Sequence, residues 1–152
     1  MPDLPHASRL RVGRYSQIGQ IYLLTAVTRN RESVFANLAL GRLVVEQLRQ
    51  AQTENRVESL AWVVMPNHIH WLVELKSNTL PALMIATKSR SARAINTRLG
   101  RSGCVWQKGF HDRAIRSEED LLTVARYVIS NPVRAGLVSR VHDYSLWDAK
   151  WL

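Results

Sequence analysis

Residues 57–75, VESLAWVVMPNHIHWLVEL, decide the fold. Within this stretch, the runs 57–64 and 68–75 are rich in β-branched, aromatic and aliphatic residues, which is typical of strands. Pro66 and Asn67 separate the two runs, and both residue types favour tight turns. The stretch therefore predicts a β-hairpin.

The second strand of this hairpin carries two histidines, His68 and His70. Because successive side chains of a strand point to opposite faces, both imidazoles are expected on one face and an apolar set on the other. The apolar set is Ile69, Trp71, Val73 and Leu75. Two adjacent imidazoles suit a metal ion that keeps open positions for a substrate. The alternative is a pair of surface histidines, and the triplet alone leaves both interpretations open.

Further elements flank the hairpin on both sides. Residue type and period predict a buried strand at 20–28, a helix at 36–53, a helix at 79–99 and a short strand pair or extended segment at 104–116. A third helix is expected to begin at Ser117, to continue through three acidic residues and to end near Ser130, before Pro132. This order predicts an α+β fold, with a mainly antiparallel central sheet and helices packed on it.

The third helix divides into two faces. Its predicted apolar face comprises Leu121, Leu122, Ala125, Val128 and Ile129, and its polar face comprises Asp120, Thr123, Tyr127 and Asn131, with Val124 at the border. Tyr127 therefore lies off the core face, although a helical tyrosine more often packs than reacts. Asn131 follows one turn later, so the phenol and the amide lie one above the other.

These residues together suggest one chemistry. A phenol is a poor nucleophile at neutral pH, and it needs a base or a phosphodiester activated by a cation. With His68 and His70 as metal ligands and the amide oxygen of Asn131 as a third, Mg²⁺ or Mn²⁺ is the expected ion. Attack by Tyr127 on a phosphodiester then gives a phosphotyrosine link, which preserves the ester for a later rejoining step.

Composition indicates one domain with a polyanionic partner. The chain has 152 residues and a formal charge of +9, and 17 of its 21 cationic residues are arginine, whose planar fork suits phosphates and bases. No apolar run approaches the roughly 20 residues of a spanning helix, and the first residues lack the pattern of a signal peptide. We therefore expect a cytoplasmic protein that binds nucleic acid and no membrane. The single Cys104 excludes an internal disulfide and argues against a thiolate zinc site.

Two basic regions are candidates for contact with DNA. Residues 1–19 form a predicted basic arm, and residues 20–152 form a single catalytic domain. The candidate contacts are Arg9, Arg11 and Arg14 in the arm and Lys88, Arg90, Arg93, Arg98 and Arg101 in and just after the second helix. Charged helix faces are usually only solvated, but no acidic residue lies between Met84 and Lys108 to neutralise this one, which favours phosphate contact.

The roles of several aromatic and polar residues outside this set are open. Trp106, Trp147 and Trp151 are candidates for stacking on unpaired bases, with packing favoured for Trp106. His111 and Asp112 either place the substrate, contact the metal site or form an exposed turn pair. The segment after Gly136 is apolar enough to dock on its own sheet or on a partner.

The motifs resemble those of a known family. His68-Ile69-His70 is similar to the histidine, hydrophobic, histidine motif of the HUH single-strand endonucleases, and residues 127–138, YVISNPVRAGLV, resemble the tyrosine-helix motif of the REP-associated tyrosine transposases. Gly13-Arg14-Tyr15-Ser16, Met65-Pro66-Asn67-His68 and Trp106-Gln107 with Phe110-His111-Asp112 also look like that family's pattern. Together the similar segments span about residues 13–147, nearly the whole chain.

The resemblance implies a ferredoxin-like fold and a metal-dependent nuclease and strand-transfer activity on single-stranded DNA. By motif, Tyr127 is the nucleophile, which leaves a 5′-phosphotyrosine and a free 3′-hydroxyl, and His68, His70 and Asn131 are the metal ligands. Related insertion-sequence transposases carry Gln in the place of Asn131. The DNA implied is a hairpin-forming palindromic repeat with a flanking tetranucleotide.

The expectation is therefore a transposase of the single-tyrosine HUH type. The first alternative is a domesticated module that binds hairpin DNA without cleaving it, and the second is a metal phosphodiesterase that uses activated water. The resemblance leaves open whether the protein acts as a monomer or as a homodimer, which repeat it recognises and which metal it prefers.

Overall fold

The computed structural model describes residues 16–150, which form five strands and three α-helices. The strands are β1 (Ile21–Val27), β2 (Val57–Met65), β3 (His68–Leu75), β4 (His111–Ile115) and β5 (Trp147–Ala149). The helices are α1 (Leu38–Thr53), α2 (Leu80–Leu99) and α3 (Glu118–Arg134). Short 3₁₀ turns lie at Arg29–Arg31, Val34–Ala36 and Val141–Asp143. Within residues 16–150, no helix is long and apolar enough to cross a membrane.

The strands form one sheet in the order β4-β1-β3-β2-β5, and every neighbouring pair is antiparallel. The succession β1-α1-β2-β3-α2-β4 with this order is the ferredoxin-like arrangement. The helices α1 and α2 share one hydrophobic cluster with one face of the sheet, and α3 shares a second cluster with the other face. The predicted α+β, ferredoxin-like fold is confirmed.

The hairpin β2-β3 forms the centre of the sheet, as its sequence predicted. Its turn falls at Pro66 and Asn67, and Met65 pairs with His68 across it. Trp71 is fully buried, and its indole N–H donates to Ser59 Oγ at 2.8 Å, which satisfies the only polar atom of that side chain. A register shift between Ser59 and Ala61 marks a bulge in β2.

The C-terminal segment docks on its own chain. Strand β5 pairs with β2, the N–H of Val64 donates to the carbonyl of Leu146 at 2.9 Å, and the hydroxyl of Tyr144 donates to the carbonyl of Val64 at 2.6 Å. Leu146 is buried against Gly41 in α1, where a Cβ on the glycine would come 2.5 Å from Leu146 Cδ1. The segment therefore lengthens the sheet by one strand.

Two details of the predicted third helix are wrong. Pro132 does not end α3, because the proline forfeits only its own hydrogen bond and is buried. The helix ends in a Schellman motif: the N–H of Leu137 donates to the carbonyl of Pro132, the N–H of Gly136 donates to the carbonyl of Val133, and Gly136 has φ of 75°. The buried face is also rotated by one residue.

That rotation exchanges two side chains between core and solvent. Val124 is 4% exposed and belongs to the core, whereas Leu122, expected on the apolar face, is 44% exposed. Asn131, expected on the polar face, is buried. A period of 3.6 places the faces only to within about one residue, and packing on the sheet selects the actual face.

Two further segments were predicted from the sequence: residues 104–116 and the N-terminal arm. In 104–116 the structure has one strand, β4, and an isolated bridge between Thr28 and Trp106. Arg9, Arg11, Arg14 and most of the predicted arm lie outside the described residues. The described end of the arm is fixed to the sheet and to α2: the N–H of Gly19 donates to the carbonyl of Leu75, and Ser16 Oγ accepts from the N–H of Leu80.

Candidate active site

Strand β3 presents His68 and His70 side by side on the face covered by α3. Their ring centroids are 5.0 Å apart, with the planes at 79°. Ile69 and Trp71 face the other way, into the core under α1 and α2. The strict alternation along β3 thus brings the two imidazoles together, as predicted.

Both histidines are oriented by hydrogen bonds at Nδ1. His68 Nδ1 lies 2.7 Å from Asn67 Oδ1, which only accepts, so this nitrogen carries the proton and Nε2 carries the lone pair. His70 Nδ1 lies 2.9 Å from Thr25 Oγ1, the residue paired with it on β1. A donating Nδ1 leaves the Nε2 lone pair of His70 free in the same way. This is the arrangement in which outer partners aim metal-binding imidazoles.

The surroundings keep both imidazoles neutral. Burial lowers the pKa of His70 to about 4, and the charges of His68 and Arg134 act in the same direction. Burial also lowers the pKa of His68, with Arg31 contributing. Neutral rings retain the lone pairs that a metal requires.

Helix α3 places Tyr127 over these histidines. The residue before the helix, Ser117, caps its N-terminus, since its hydroxyl accepts from the N–H of Asp120 at 3.1 Å. Nine residues after its first residue, the Tyr127 ring lies 5.5 Å from the His70 ring, centroid to centroid, at 66°. Tyr127 is 44% exposed, so its side chain is open to solvent while its ring contacts His70.

Asn131 follows Tyr127 by one turn and is 9% exposed. Its Nδ2 donates to the carbonyl of Tyr127 at 3.3 Å, which leaves Oδ1 as the atom available for a metal. Within residues 16–150, no group of three or more His, Cys, Asp and Glu side chains is placed to bind a metal. His68, His70 and Asn131 could supply two neutral imidazoles and one amide oxygen, and such ligands can bind Mn²⁺ or Mg²⁺.

A cleft opens beside the tyrosine, between α3 and the strands β1 and β4. Its volume is about 330 Å³. The lining residues are Leu23, Thr25, His70, Arg113, Asp120, Thr123, Val124 and Tyr127. The cleft thus joins the proposed nucleophile and one proposed ligand to a cationic side chain, Arg113.

The candidate cations of α2 lie on the other layer of the protein, opposite α3. Arg90 pairs with Glu54 at 3.2 Å, and Arg101 pairs with Glu32 at 3.5 Å. The ammonium of Lys88 donates to the carbonyls of Gln107 and Gly109, at 2.7 and 2.6 Å, and burial lowers its pKa. Arg93 and Arg98 are exposed beside a shallow groove between α1 and α2.

The aromatic candidates divide between packing and solvent. Trp106 is 7% exposed, donates its indole N–H to Ser91 Oγ and stacks at 5.3 Å from Phe35, so the favoured packing role is confirmed. Trp147 is half-buried and donates to the carbonyl of Val141. Trp151 lies outside the described residues.

Two residues of the site were missed by sequence reasoning. In the sequence, Thr25 is an ordinary β-branched strand residue. Its contact with His70 follows only from the pairing register between β1 and β3. Arg134 lies seven residues after Tyr127, two helical turns away, and the expected stop at Pro132 removed it from the helix. His111 shares a cross-strand row with Thr25, and its side chain is exposed.

Comparison with known proteins shows the family of this chain. Residues 16–131 match the family model described as Transposase IS200 like. The chain belongs to the IS200-like transposase family. That match extends from the segment before β1 to Asn131 in α3, so it includes both histidines and the tyrosine.

Two relatives of this IS200-like transposase are named as REP-associated tyrosine transposases, one of them provisionally. The REP-associated tyrosine transposase of Escherichia coli is 26% identical over 133 residues, which cover 86% of this chain and 77% of that protein. A Haemophilus influenzae protein provisionally named a REP-associated tyrosine transposase is 27% identical over 137 residues, which cover 83% and 77% respectively. The resemblance to REP-associated tyrosine transposases is therefore confirmed.

A solved structure shares the fold. The structure of the REP-associated tyrosine transposase bound to a REP hairpin superposes with a TM-score of 0.74, at 24% identity, over 88% of this chain and 79% of that chain. The five-stranded antiparallel sheet with its three helices is thus the tyrosine transposase fold.

Proposed function

We propose that the chain is a metal-dependent endonuclease and strand transferase for single-stranded DNA that carries hairpins, with Tyr127 as the nucleophile. The observation that carries the proposal is the Tyr127 ring 5.5 Å from His70, beside a second histidine and at a cleft of about 330 Å³. The hairpin enters the proposal through the structural relative, which is bound to a REP hairpin.

The proposed reaction has two balanced steps. The phenolic oxygen of Tyr127 attacks phosphorus, the bond from phosphorus to the 3′-oxygen breaks, and the products are a 5′-phosphotyrosine and a free 3′-hydroxyl. The phenolic proton passes to water, and the departing 3′-oxygen takes a proton from water. Attack by a 3′-hydroxyl on the phosphotyrosine then forms a new phosphodiester and restores the phenol.

The chain's own residues orient this reaction. His68, His70 and Asn131 would hold the divalent ion, which when bound withdraws charge from the nonbridging phosphate oxygens. Asn67 and Thr25 fix the two imidazole rings, and α3 holds Tyr127 over them. Arg113 in the cleft supplies a positive charge for a backbone phosphate.

The DNA duplex of the hairpin needs a larger surface than this cleft. We assign it to the basic residues Arg9, Arg11, Arg14, Lys88, Arg90, Arg93, Arg98 and Arg101, of which Arg93 and Arg98 are the most available on α2. Such contacts are electrostatic, so binding should weaken as salt rises. We also propose that the protein associates with the bacterial nucleoid, where such DNA lies.

The test is formation of a covalent adduct. Wild type and Tyr127→Phe are incubated with a pool of hairpins with randomised stems and single-stranded flanks, labelled at the 3′ end because the 5′-phosphotyrosine retains that end, with Mn²⁺, with Mg²⁺ and with EDTA. A labelled band at the mass of protein plus DNA on a denaturing gel is expected for wild type with metal only. The same gel distinguishes the alternatives.

Cleavage by both proteins without an adduct would show that activated water, and not the tyrosine, is the nucleophile. Retention of selected hairpins without any cleavage would identify a binding module. Calorimetric titration with Mn²⁺ then tests the ligand set: His70→Ala should abolish binding, and Asn131→Ala should weaken it by about 10-fold. Unchanged Mn²⁺ affinity in Asn131→Ala would exclude the amide from the set.

A further inference from the structure

The guanidinium of Arg134 lies over the ring of the proposed nucleophile. Its central carbon is 4.0 Å from the centroid of the Tyr127 ring. On the same residue, one nitrogen donates to the carbonyl of Tyr127 at 3.1 Å, and another donates to Ser130 Oγ at 2.8 Å. We infer that Arg134 is a positioning residue, which fixes the Tyr127 ring for attack; the inference rests on the function proposed above.

The helix end is built in a way that permits this contact. Seven residues make two helical turns, so Arg134 returns to the azimuth of Tyr127 only if α3 continues through Pro132. The buried proline and the Schellman motif at Gly136 keep those last residues helical. A helix that ended at Ser130 would leave the face of the tyrosine uncovered.

The contacts around the tyrosine are complementary. His70 approaches the ring at 5.5 Å, and Arg134 covers the ring at 4.0 Å. A cation over the face of a phenol is attracted by the ring quadrupole, so the guanidinium restrains both side-chain torsions of Tyr127. The carbonyl of Tyr127 and the hydroxyl of Ser130 in turn hold the guanidinium, and that hydroxyl also donates to the Tyr127 carbonyl at 3.2 Å.

A restrained phenol matters because in-line attack tolerates little error in direction. The attacking oxygen must lie opposite the leaving 3′-oxygen, and loss of such alignment costs rate without costing affinity. The contact requires a planar cation with several donors, which lysine does not provide. Arg134 therefore acts on the rate of adduct formation and not on DNA capture.

The experiment compares Arg134→Ala with Arg126→Ala. Arg126 is also exposed on α3 and is adjacent to Tyr127 in sequence, so both variants lose one positive charge from the same helix. Single-turnover adduct formation with a hairpin selected by wild type, at saturating protein and Mn²⁺, should be about 10- to 100-fold slower in Arg134→Ala. It should be unchanged in Arg126→Ala, and the two variants should bind the hairpin equally.

Arg134→Lys separates geometry from charge. It should remain slow, because an ammonium keeps the charge but cannot stack on the ring and span both acceptors. Ser130→Ala keeps the cation and removes one acceptor, so it should slow the reaction less than Arg134→Ala and keeps the inference testable if the alanine variant unfolds.

A direct readout is ¹⁹F NMR of protein labelled with 3-fluorotyrosine. The chain has four tyrosines, and Tyr127→Phe assigns the line of interest. In Arg134→Ala that line should shift and narrow as the ring gains motion, while the other three stay in place.

Three outcomes would overturn the inference. The first is a wild-type rate in Arg134→Ala or Arg134→Lys, the second is a rate loss in Arg134→Ala fully recovered by raising the protein concentration, and the third is an unchanged Tyr127 resonance. The absence of any adduct with wild type would contradict the proposed function itself.

Discussion

The imidazole of His70 and the phenol ring of Tyr127 meet edge to face across the gap between β3 and α3, with centroids 5.5 Å apart. His70 is 8% exposed and Tyr127 is 44% exposed. The pair therefore joins a side chain fixed inside the fold to one that is open to DNA. Because their elements are far apart in sequence, the geometry depends on the contacts that hold each ring.

Thr25→Val tests the support of His70. Valine keeps the shape of threonine and removes the hydroxyl that lies 2.9 Å from His70 Nδ1. We expect Mn²⁺ affinity, measured by calorimetry, to fall by about 10- to 100-fold, because an outer partner orients the ligand ring. Thr97→Val, an exposed threonine on α2, is the matched control. Equal Mn²⁺ affinity in the two variants would show that Thr25 has no such role.

The cationic surface of α2 is tested by salt dependence. Among residues 16–150, no carboxylate lies within ion-pair distance of Arg93 or Arg98, whereas Arg90 pairs with Glu54. The double variant Arg93→Ala/Arg98→Ala should reduce the slope of log K against log salt for hairpin binding by about 1 to 2.

The control for that slope is Arg42→Ala/Arg49→Ala, which removes the same charge from exposed positions of α1. It should leave the slope nearly unchanged. Equal slopes in the two double variants would mean that net charge, and no particular surface, determines DNA binding.

The ion pairs of the basic residues in and after α2 could not be predicted from the sequence. The absence of acids near Lys88 to Arg101 in the chain predicted free cations, yet Glu54 and Glu32 reach two of them from other segments. Pairing within a helix is visible in a sequence because it follows the period of the helix. Pairing between elements depends on how they pack.

The hairpin and the third helix show the same division. The alternation in residues 68–75 predicted the buried and site-facing sides of β3 correctly, since the period of a strand is strict. The period of a helix allows a rotation of about one residue, so Leu122 and Asn131 were placed on the wrong faces and Val124 was placed at the border. The left-handed Gly136, and not Pro132, was the true stop signal of α3.

Gly41→Ala tests the docking of the C-terminal segment. Alanine has the higher helix propensity by about 1 kcal/mol, but its Cβ would lie 2.5 Å from Leu146 Cδ1 in a buried site. Overpacking typically costs about 1–3 kcal/mol, so after the gain in helix propensity we expect the free energy of unfolding, from urea titration, to fall by about 1–2 kcal/mol.

The control for this prediction shortens the partner side chain, Leu146, to alanine. Gly41→Ala/Leu146→Ala relieves the clash, so the double variant should be more stable than the sum of the two single changes predicts. Simple additivity of the two effects would mean that α1 and Leu146 do not compete for this space.

Tyr144→Phe tests the hydrogen bond that fastens the same segment to β2. Burial raises the pKa of Tyr144, and its hydroxyl donates to the carbonyl of Val64. Loss of this bond should lower the free energy of unfolding by about 1 kcal/mol at pH 8. A raised pKa means that the folded state holds this proton more tightly than the unfolded state, in which the phenol titrates near pH 10.

The Tyr144 contribution is therefore fully present below about pH 10 and is lost as the pH rises toward the folded pKa. Urea titrations of wild type and Tyr144→Phe between pH 8 and 11 should show their difference in unfolding free energy shrinking above pH 10. Lysines and the other tyrosines titrate in both proteins, so the difference isolates Tyr144. A difference that grows with pH would mean that the tyrosinate, and not the phenol, is the form that the fold stabilises.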